Sequence, residues 1–174
     1  YQSKMSSKED RAASAALRHT YITFNIDGTY AVAIGDVKEI IDYPKALLQP
    51  PGLKKHVRGV LNLRGSLVTI VDARSMYSSG TRNDNSNFES RKVLVFDRNG
   101  NHFGLVVDSV ESIVTFSDSD KVKLPQLVYD RGEGSISTDI SEAVEVTDSH
   151  GKKISLLIMN ADSIANRASK SFAA

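Results

Sequence analysis

Short apolar runs separated by polar turns dominate this chain. Between Val57 and Asp72, two runs rich in Val, Ile and Leu flank the polar break Asn62-Leu63-Arg64-Gly65. Runs of this length and composition are typical of strands, and glycine suits the turn between them because it adopts a positive φ at no steric cost. The pattern therefore predicts a hairpin with Arg64 outside the bend, where its guanidinium offers five donors to carboxylates of another protein.

The chain contains a weak internal repeat. Residues 20–28 resemble residues 92–100, and Asp36 falls opposite Asp108 at the same offset. Each copy consists of an apolar run, a turn containing Asp-Gly or Asn-Gly, and a second apolar run. Those dipeptides are strong hairpin signals, so each copy predicts a β-hairpin.

A second repeat relates residues 65–71 to residues 151–157. Each run ends in a polar residue, Asp72 or Asn160, whose side-chain oxygen is suited to cap a following short helix. Each half is therefore predicted to hold two hairpins and one short helix. Closure into a small barrel is expected, because it removes exposed strand edges.

Polar segments delimit the predicted folded region. Residues 1–19 are predicted to form a flexible tail, of which 1–4 resemble a tag remnant. The folded region is predicted to span 20–166, with two barrel lobes joined by the exposed polar linker 78–90. Residues 167–174 are predicted to form a second flexible tail.

Composition narrows the possible functions. The 174 residues carry a formal charge of +1, which gives no footprint for nucleic acid or an acidic lipid surface. The absence of cysteine excludes disulfides and thiolate metal sites, and fits a cytoplasmic protein. No apolar run approaches the ~20 residues that span a bilayer, so no membrane insertion is expected.

No pattern in the sequence indicates catalysis. The four histidines lack metal-ligand spacing, and no serine lies in a Gly-x-Ser-x-Gly elbow. The basic cluster 54–58 has no interleaved aromatic residues of the kind that bind single-stranded nucleic acid. We therefore expect no enzymatic activity, no cofactor, no metal and no nucleic-acid partner.

The segment 36–41 admits two interpretations. Asp36 is suited to cap one helical turn that carries Val37 and Glu39. In one interpretation, Val37 is an exposed apolar contact beside the charged Glu39 and part of a docking surface. In the other, which spacing favours, the segment is a connecting turn with Val37 in the core. For Arg64, spacing leaves a docking role and simple solvation equally open.

The order of these motifs resembles that of the CheW-like chemotaxis coupling proteins. The resemblance is carried by Val37-Lys38-Glu39-Ile40, by Gly59-Val60-Leu61-Asn62-Leu63-Arg64-Gly65 and by Ile70-Val71-Asp72-Ala73-Arg74, and runs from about Thr20 to Ile164. The chain departs from the family pattern at Thr69, where proline is usual, and at Ala73, where leucine is usual. Residues 138–145 also lack a glycine that the family favours and carry extra acidic residues.

The resemblance implies an all-β fold with a few short helices: two intertwined five-stranded Src-homology-3-like barrels around separate cores, with Phe24 in one and Phe96 in the other. It implies a non-catalytic adaptor between the cytoplasmic tips of methyl-accepting chemoreceptors and the regulatory domain of the histidine kinase CheA. The adaptor is expected to be a monomer in isolation, to form arrays with its partners and to be cytoplasmic at membrane-bound receptor arrays.

The resemblance also implies site residues. Val37 and Glu39 fall on the family's receptor-contact segment, and Arg64 falls on its functionally sensitive arginine. With Asn62 and Gly65 of the same motif, these are the predicted protein-binding residues.

Two alternative functions remain within the same fold. The regulatory domain of a CheA-type kinase shares it, and the short segment before Thr20 favours a stand-alone coupler over that domain. A CheW-like scaffold in a receptor pathway other than motility fits the same residues. A nucleic-acid-binding small barrel is a third alternative, which a salt-dependent titration would expose.

Overall fold

A computed structural model describes residues 20–77, 88–98, 100–122, 136–147 and 150–172. Within these ranges the chain forms eleven strands in two sheets and two helices, which confirms the all-β fold class. The helices are α1 (Ala73–Tyr77) and α2 (Ala161–Phe172). The strands are β1 (Thr20–Asn25), β2 (Thr29–Ala33), β3 (Val37–Asp42), β4 (Val57–Leu63), β5 (Ser66–Asp72), β6 (Lys92–Arg98), β7 (Asn101–Val107), β8 (Ser109–Thr115), β9 (Lys121–Val122), β10 (Ile140–Thr147) and β11 (Lys153–Met159).

All four predicted hairpins are confirmed. The strands pair antiparallel as β1 with β2, β4 with β5, β6 with β7, and β10 with β11. Positive φ angles mark their turns, for example 56° at Asp27 and 79° at Gly100. These hairpins follow from the local sequence because apolar runs flank turn residues that tolerate this conformation.

The two sheets interlace the halves of the chain. One sheet has the order β8-β1-β2-β11-β10-β9, and the other has the order β3-β6-β7-β5-β4. The chain crosses between them at the short 3₁₀ turn Ile34–Asp36 and again at Asp108. The segment 78–90, expected to join the two lobes, is flanked by β5 and β6, which belong to the same sheet. The sixth strand of the larger sheet is the two-residue β9.

The expectation that Phe24 and Phe96 lie in separate cores is wrong. Both rings are fully buried in one central cluster, although β1 and β6 belong to different sheets. The β1–β2 hairpin of one sheet and the β6–β7 hairpin of the other both contribute apolar side chains to this cluster. The largest core therefore lies between the two sheets. A smaller cluster around Tyr21 and Phe116 lies in the six-stranded sheet, and another around Ile70 and Val93 lies in the five-stranded sheet.

Both predicted helix caps are confirmed. The amide of Arg74 donates to Asp72 Oδ1 at 3.2 Å, and the amide of Ser163 donates to Asn160 Oδ1 at 3.0 Å. Each cap satisfies an amide that the first helical turn leaves unpaired.

Helix α2 extends beyond the predicted end of the folded region. It continues to Phe172, so the predicted tail 167–174 begins inside a helix. Ala168 is fully buried in the central cluster, and Arg167 Nε donates to the buried carboxylate of Asp139 at 2.7 Å. Burial of the small apolar face of α2 therefore carries the helix past residue 166. The N-terminal tail 1–19 lies outside the described residues.

Candidate protein-docking surface

A tight turn presents Arg64 to solvent. Arg64 has a φ of 52° and Gly65 a φ of 85°, so both central residues of the β4–β5 turn adopt the left-handed conformation. The side-chain Oδ1 of Asn62 accepts a hydrogen bond from the amide of Gly65 at 3.1 Å. The positive φ at Gly65 was predicted from sequence, whereas that of Arg64 was not. Non-glycine residues in this conformation are uncommon and often mark functional turns.

Arg64 forms an ion pair with Glu39. Its Nη1 lies 2.7 Å from Glu39 Oε2, and the side chains of Arg64 and Glu39 are 77% and 18% exposed. Glu39 lies on β3 and Arg64 at the end of β4, and these strands are the two opposite edges of the five-stranded sheet. The ion pair therefore joins edges that meet because the sheet curls on itself.

Val37 lies at the start of β3, half-buried against the central cluster. The 3₁₀ turn ends at Asp36 and residues 37–42 form β3, so a helical turn carrying Val37 and Glu39 and a connecting turn over 36–41 are both wrong. The β3–β6 ladder shifts register between Val37 and Glu39, which leaves Lys38 as an extra residue in β3. Such β-bulges bend a strand and re-aim its side chains.

The structure brings Glu39, Asn62, Arg64 and Gly65 together and places Val37 two residues before Glu39 on the same strand. We call these five residues the candidate docking surface. It combines one exposed guanidinium, one largely shielded carboxylate and one half-buried apolar side chain.

Two exposed apolar side chains on the same elements were missed in the sequence analysis. Leu67, opposite Asn62 in the β4–β5 ladder, is 64% exposed, and Ile40 on β3 is 42% exposed. Strand alternation was the available signal, because Val68 and Ile70 point into the core and Leu67 must then face outward. In the chain, Leu67 lies two residues after Gly65 and Ile40 one residue after Glu39, so both flank the candidate docking surface.

Two features are absent from the part of the chain that the structure describes. No group of three or more His, Asp or Glu side chains there is arranged to hold a metal ion. No helix among the described residues is both long enough and apolar enough to cross a membrane.

The chain matches the model of the CheW-like domain over residues 20–168. It is 35% identical over 108 residues to "Protein PilI" of Pseudomonas aeruginosa, an alignment that covers 61% of this chain and 58% of that protein. It is 23% identical over 122 residues to "Chemotaxis protein CheW" of Bacillus subtilis, covering 70% of this chain and 76% of the relative.

A solved structure shows the same fold. The scaffolding protein TtCheW from Thermoanaerobacter tengcongensis superposes with a TM-score of 0.63 at 17% identity, covering 82% of this chain and 84% of the other. The family match covers most of the chain and the fold agrees with it. The protein therefore belongs to the CheW-like domain family.

Proposed function

We propose that this protein is a non-catalytic adaptor that couples the cytoplasmic tips of methyl-accepting chemoreceptors to the regulatory domain of the histidine kinase CheA. Family membership supports the adaptor role, and the names of two similar proteins, a chemotaxis protein and a scaffolding protein, point the same way. In this role the protein works in the cytoplasm, at membrane-bound receptor arrays.

The exposed Arg64–Glu39 pair is the observation that carries the proposal. A guanidinium that is 77% exposed, yet held by a tight turn and by one carboxylate, keeps donors available to a partner at a low entropic cost. Val37 and Leu67 add apolar contact area nearby. This combination suits a receptor helix that lays apolar anchors and one acidic residue against the curled edge of the five-stranded sheet.

Coupling requires contacts that differ between signalling states. A partner that binds both states of the kinase equally well transmits nothing, whatever its affinity. Contacts of modest individual affinity become effective when many are linked in an array, because linkage raises the effective concentration of each partner.

Binding of the purified protein to two partners tests the proposal. Isothermal titration with a receptor-tip fragment and with the CheA regulatory domain from the same organism should give saturable binding to each. A ternary complex should form in size-exclusion chromatography. Absence of binding to both partners, or turnover of a small molecule, would contradict an adaptor function.

The pathway served is a second question, for which one observation favours an alternative. Identity is higher to a relative named PilI than to the chemotaxis protein CheW of B. subtilis. A CheW-like scaffold in a receptor pathway other than motility therefore remains our alternative, beside the regulatory domain of a CheA-type kinase. Deletion of the gene followed by swimming and surface-behaviour assays would separate the outputs.

A further inference from the structure

An arginine holds the aspartate at each crossing between the sheets. At the second crossing, Asp108 accepts two hydrogen bonds of 2.7 Å from Nε and Nη2 of Arg74. At the first crossing, Asp36 accepts one of 3.1 Å from Nη1 of Arg98. Since Asp36 and Asp108 are equivalent in the internal repeat, the two contacts occupy equivalent places in the fold.

The two arginines come from different elements. Arg74 is the second residue of α1, and the second residue of α2 is Asp162. At the first crossing, the aspartate of the turn, Asp36, therefore faces another carboxylate, Asp162, at the second position of α2. Arg98, the last residue of β6, lies between them, with its Nε 3.0 Å from Asp162 Oδ1 and its Nη2 donating to the same oxygen. Arg98 therefore supplies the positive charge that the second residue of α2 does not carry.

This three-residue group lies next to the candidate docking surface in the chain. Asp36 directly precedes Val37, and the β-bulge at Lys38 follows. Among the strands that the structure describes, β3 is an edge strand and pairs with β6 alone. The bulge weakens that ladder near Val37, so a contact from outside the ladder matters most there.

We propose that Arg98 is a positioning residue of the candidate docking surface, which uses Asp36 and Asp162 to set the orientation of the bulged start of β3 against the N-terminus of α2. The positioning does not require a partner. Its consequence for binding rests on the proposed function.

The group remains accessible to solvent. A pocket of about 150 Å³ opens beside it and is lined by Asp36, Arg98, Glu142 and Asp162, among others. Arg98 is 26% exposed and Asp162 is 68% exposed. The hydrogen bond to Asp162 helps to raise the pKa of Arg98, against the opposing effect of partial burial. Partly solvated pairs of this kind add little to the stability of a fold, so variants that remove them should stay folded.

Amide hydrogen exchange in the free protein tests the positioning. In Arg98→Gln and in Asp162→Asn, exchange at residues 37–39 should rise about threefold to tenfold, as expected for local opening of an edge strand. Asp162→Asn is the sharper variant, because Asp162 is exposed and lies on α2, whereas Arg98 lies on β6, the ladder partner of β3. Unchanged exchange at residues 37–39 in Asp162→Asn would overturn the proposal.

A matched control removes a similar pair from the other end of β3. Lys92, the first residue of β6, bonds Asp42, the last residue of β3. Lys92→Gln should leave exchange at residues 37–39 within twofold of wild type. An increase there equal to that of Arg98→Gln would show general loosening of β3 and would contradict a specific role for Arg98.

A rescue variant tests the comparison between the two crossings. Arg98→Gln combined with Asp162→Arg recreates the direct helix-to-crossing pair that Arg74 and Asp108 form. Exchange at residues 37–39 should return towards wild type. If it does and receptor-tip binding stays unaltered in all these variants, the positioning stands and the proposed function of the surface fails.

Discussion

Arg64 and Glu39 show what an ion pair contributes at an exposed turn. The pair is bonded at 2.7 Å, but the arginine is largely solvated, and exposed pairs of this kind stabilise a fold by about 0–1 kcal/mol. An uncommon backbone conformation at a residue that contributes little to stability supports the proposal that Arg64 contacts a partner.

Replacement of Arg64 separates binding from stability. Arg64→Ala should weaken binding of the receptor-tip fragment by about 1–3 kcal/mol, as expected for loss of a charged hydrogen bond at an interface. The melting temperature should change little. Titration calorimetry and thermal unfolding measure the two effects. Lys153→Ala, an exposed change on the other sheet, is the control, and an unfolded Arg64→Ala would make Arg64 structural.

Tyr77 gives the protein a distinct response to alkaline pH. Its hydroxyl donates to Asp139 Oδ2 at 2.7 Å, and burial first, then the nearby carboxylate, raises its pKa well above the ordinary value of 10.0. Above pH 10 the unfolded chain releases this proton while the folded chain retains it. The stability associated with Tyr77 is therefore complete below pH 10 and declines as pH rises towards the folded-state pKa.

Absorbance of tyrosinate measures this effect. The chain has six tyrosines and no tryptophan, so the signal near 295 nm reports tyrosine ionisation without interference. A fraction equivalent to one residue should ionise late in wild type, and that late fraction should be absent in Tyr77→Phe. Ionisation of all six together near the ordinary tyrosine pKa of 10.0 would contradict a buried, bonded hydroxyl.

At the scale of elements, the sequence predicted features that depend on residues close together in the chain. It did not predict contacts between residues that are far apart in the chain. The hairpins and the caps at Asp72 and Asn160 depend on neighbours within a few residues, and these predictions are confirmed. The contact of Glu39 with Arg64 depends on curling of the five-stranded sheet, which no local pattern reveals. The extra turns of α2 depend on burial of Ala168 in the central cluster. The polar composition after residue 166 predicted a flexible tail instead, because it does not show which small residues are buried.

Gly59 on β4 illustrates a constraint that comes from packing between elements. Its φ is 152°, and a Cβ there would lie 2.7 Å from the carbonyl oxygen of Leu48 and 2.9 Å from Leu47 Cβ. Gly59→Ala should therefore destabilise the fold by about 1–3 kcal/mol, by overpacking against backbone that cannot move aside easily. Urea denaturation measures the change.

Gly35 offers the matched control. It lies in the 3₁₀ turn at the first crossing, and a Cβ there would meet nothing within 4 Å. Gly35→Ala should be neutral or slightly stabilising, because alanine restricts the unfolded chain. Equal destabilisation by both substitutions would argue against close packing of the Leu48 segment on β4.

At the scale of the molecule, the largest core is shared by the two sheets, and each sheet also has a smaller cluster of its own. The repeat predicted two similar units, but it carried no information on whether each unit would pack alone. Phe24 and Phe96 occupy equivalent repeat positions and contribute to the same central cluster. Burial of both rings between the sheets links the stability of one sheet to that of the other.

This sharing has a measurable consequence for unfolding. Phe24→Ala and Phe96→Ala should each cost roughly 3–5 kcal/mol through cavity formation. In each variant, circular dichroism and tyrosine fluorescence should report one coincident transition, because loss of the shared cluster affects both sheets. Two separated transitions would indicate independent cores instead.

The interlaced strand order also has a consequence for cleavage of the chain into two fragments. A break in the backbone between β5 and β6 leaves two polypeptides, each with strands of both sheets and neither with a complete sheet. In such fragments, strands that lie inside a sheet of the intact protein become edge strands. Their backbone hydrogen bonds are restored when the two fragments associate. The fold is therefore suited to fragment complementation. Recovery of partner binding would report that two separately expressed fragments have associated.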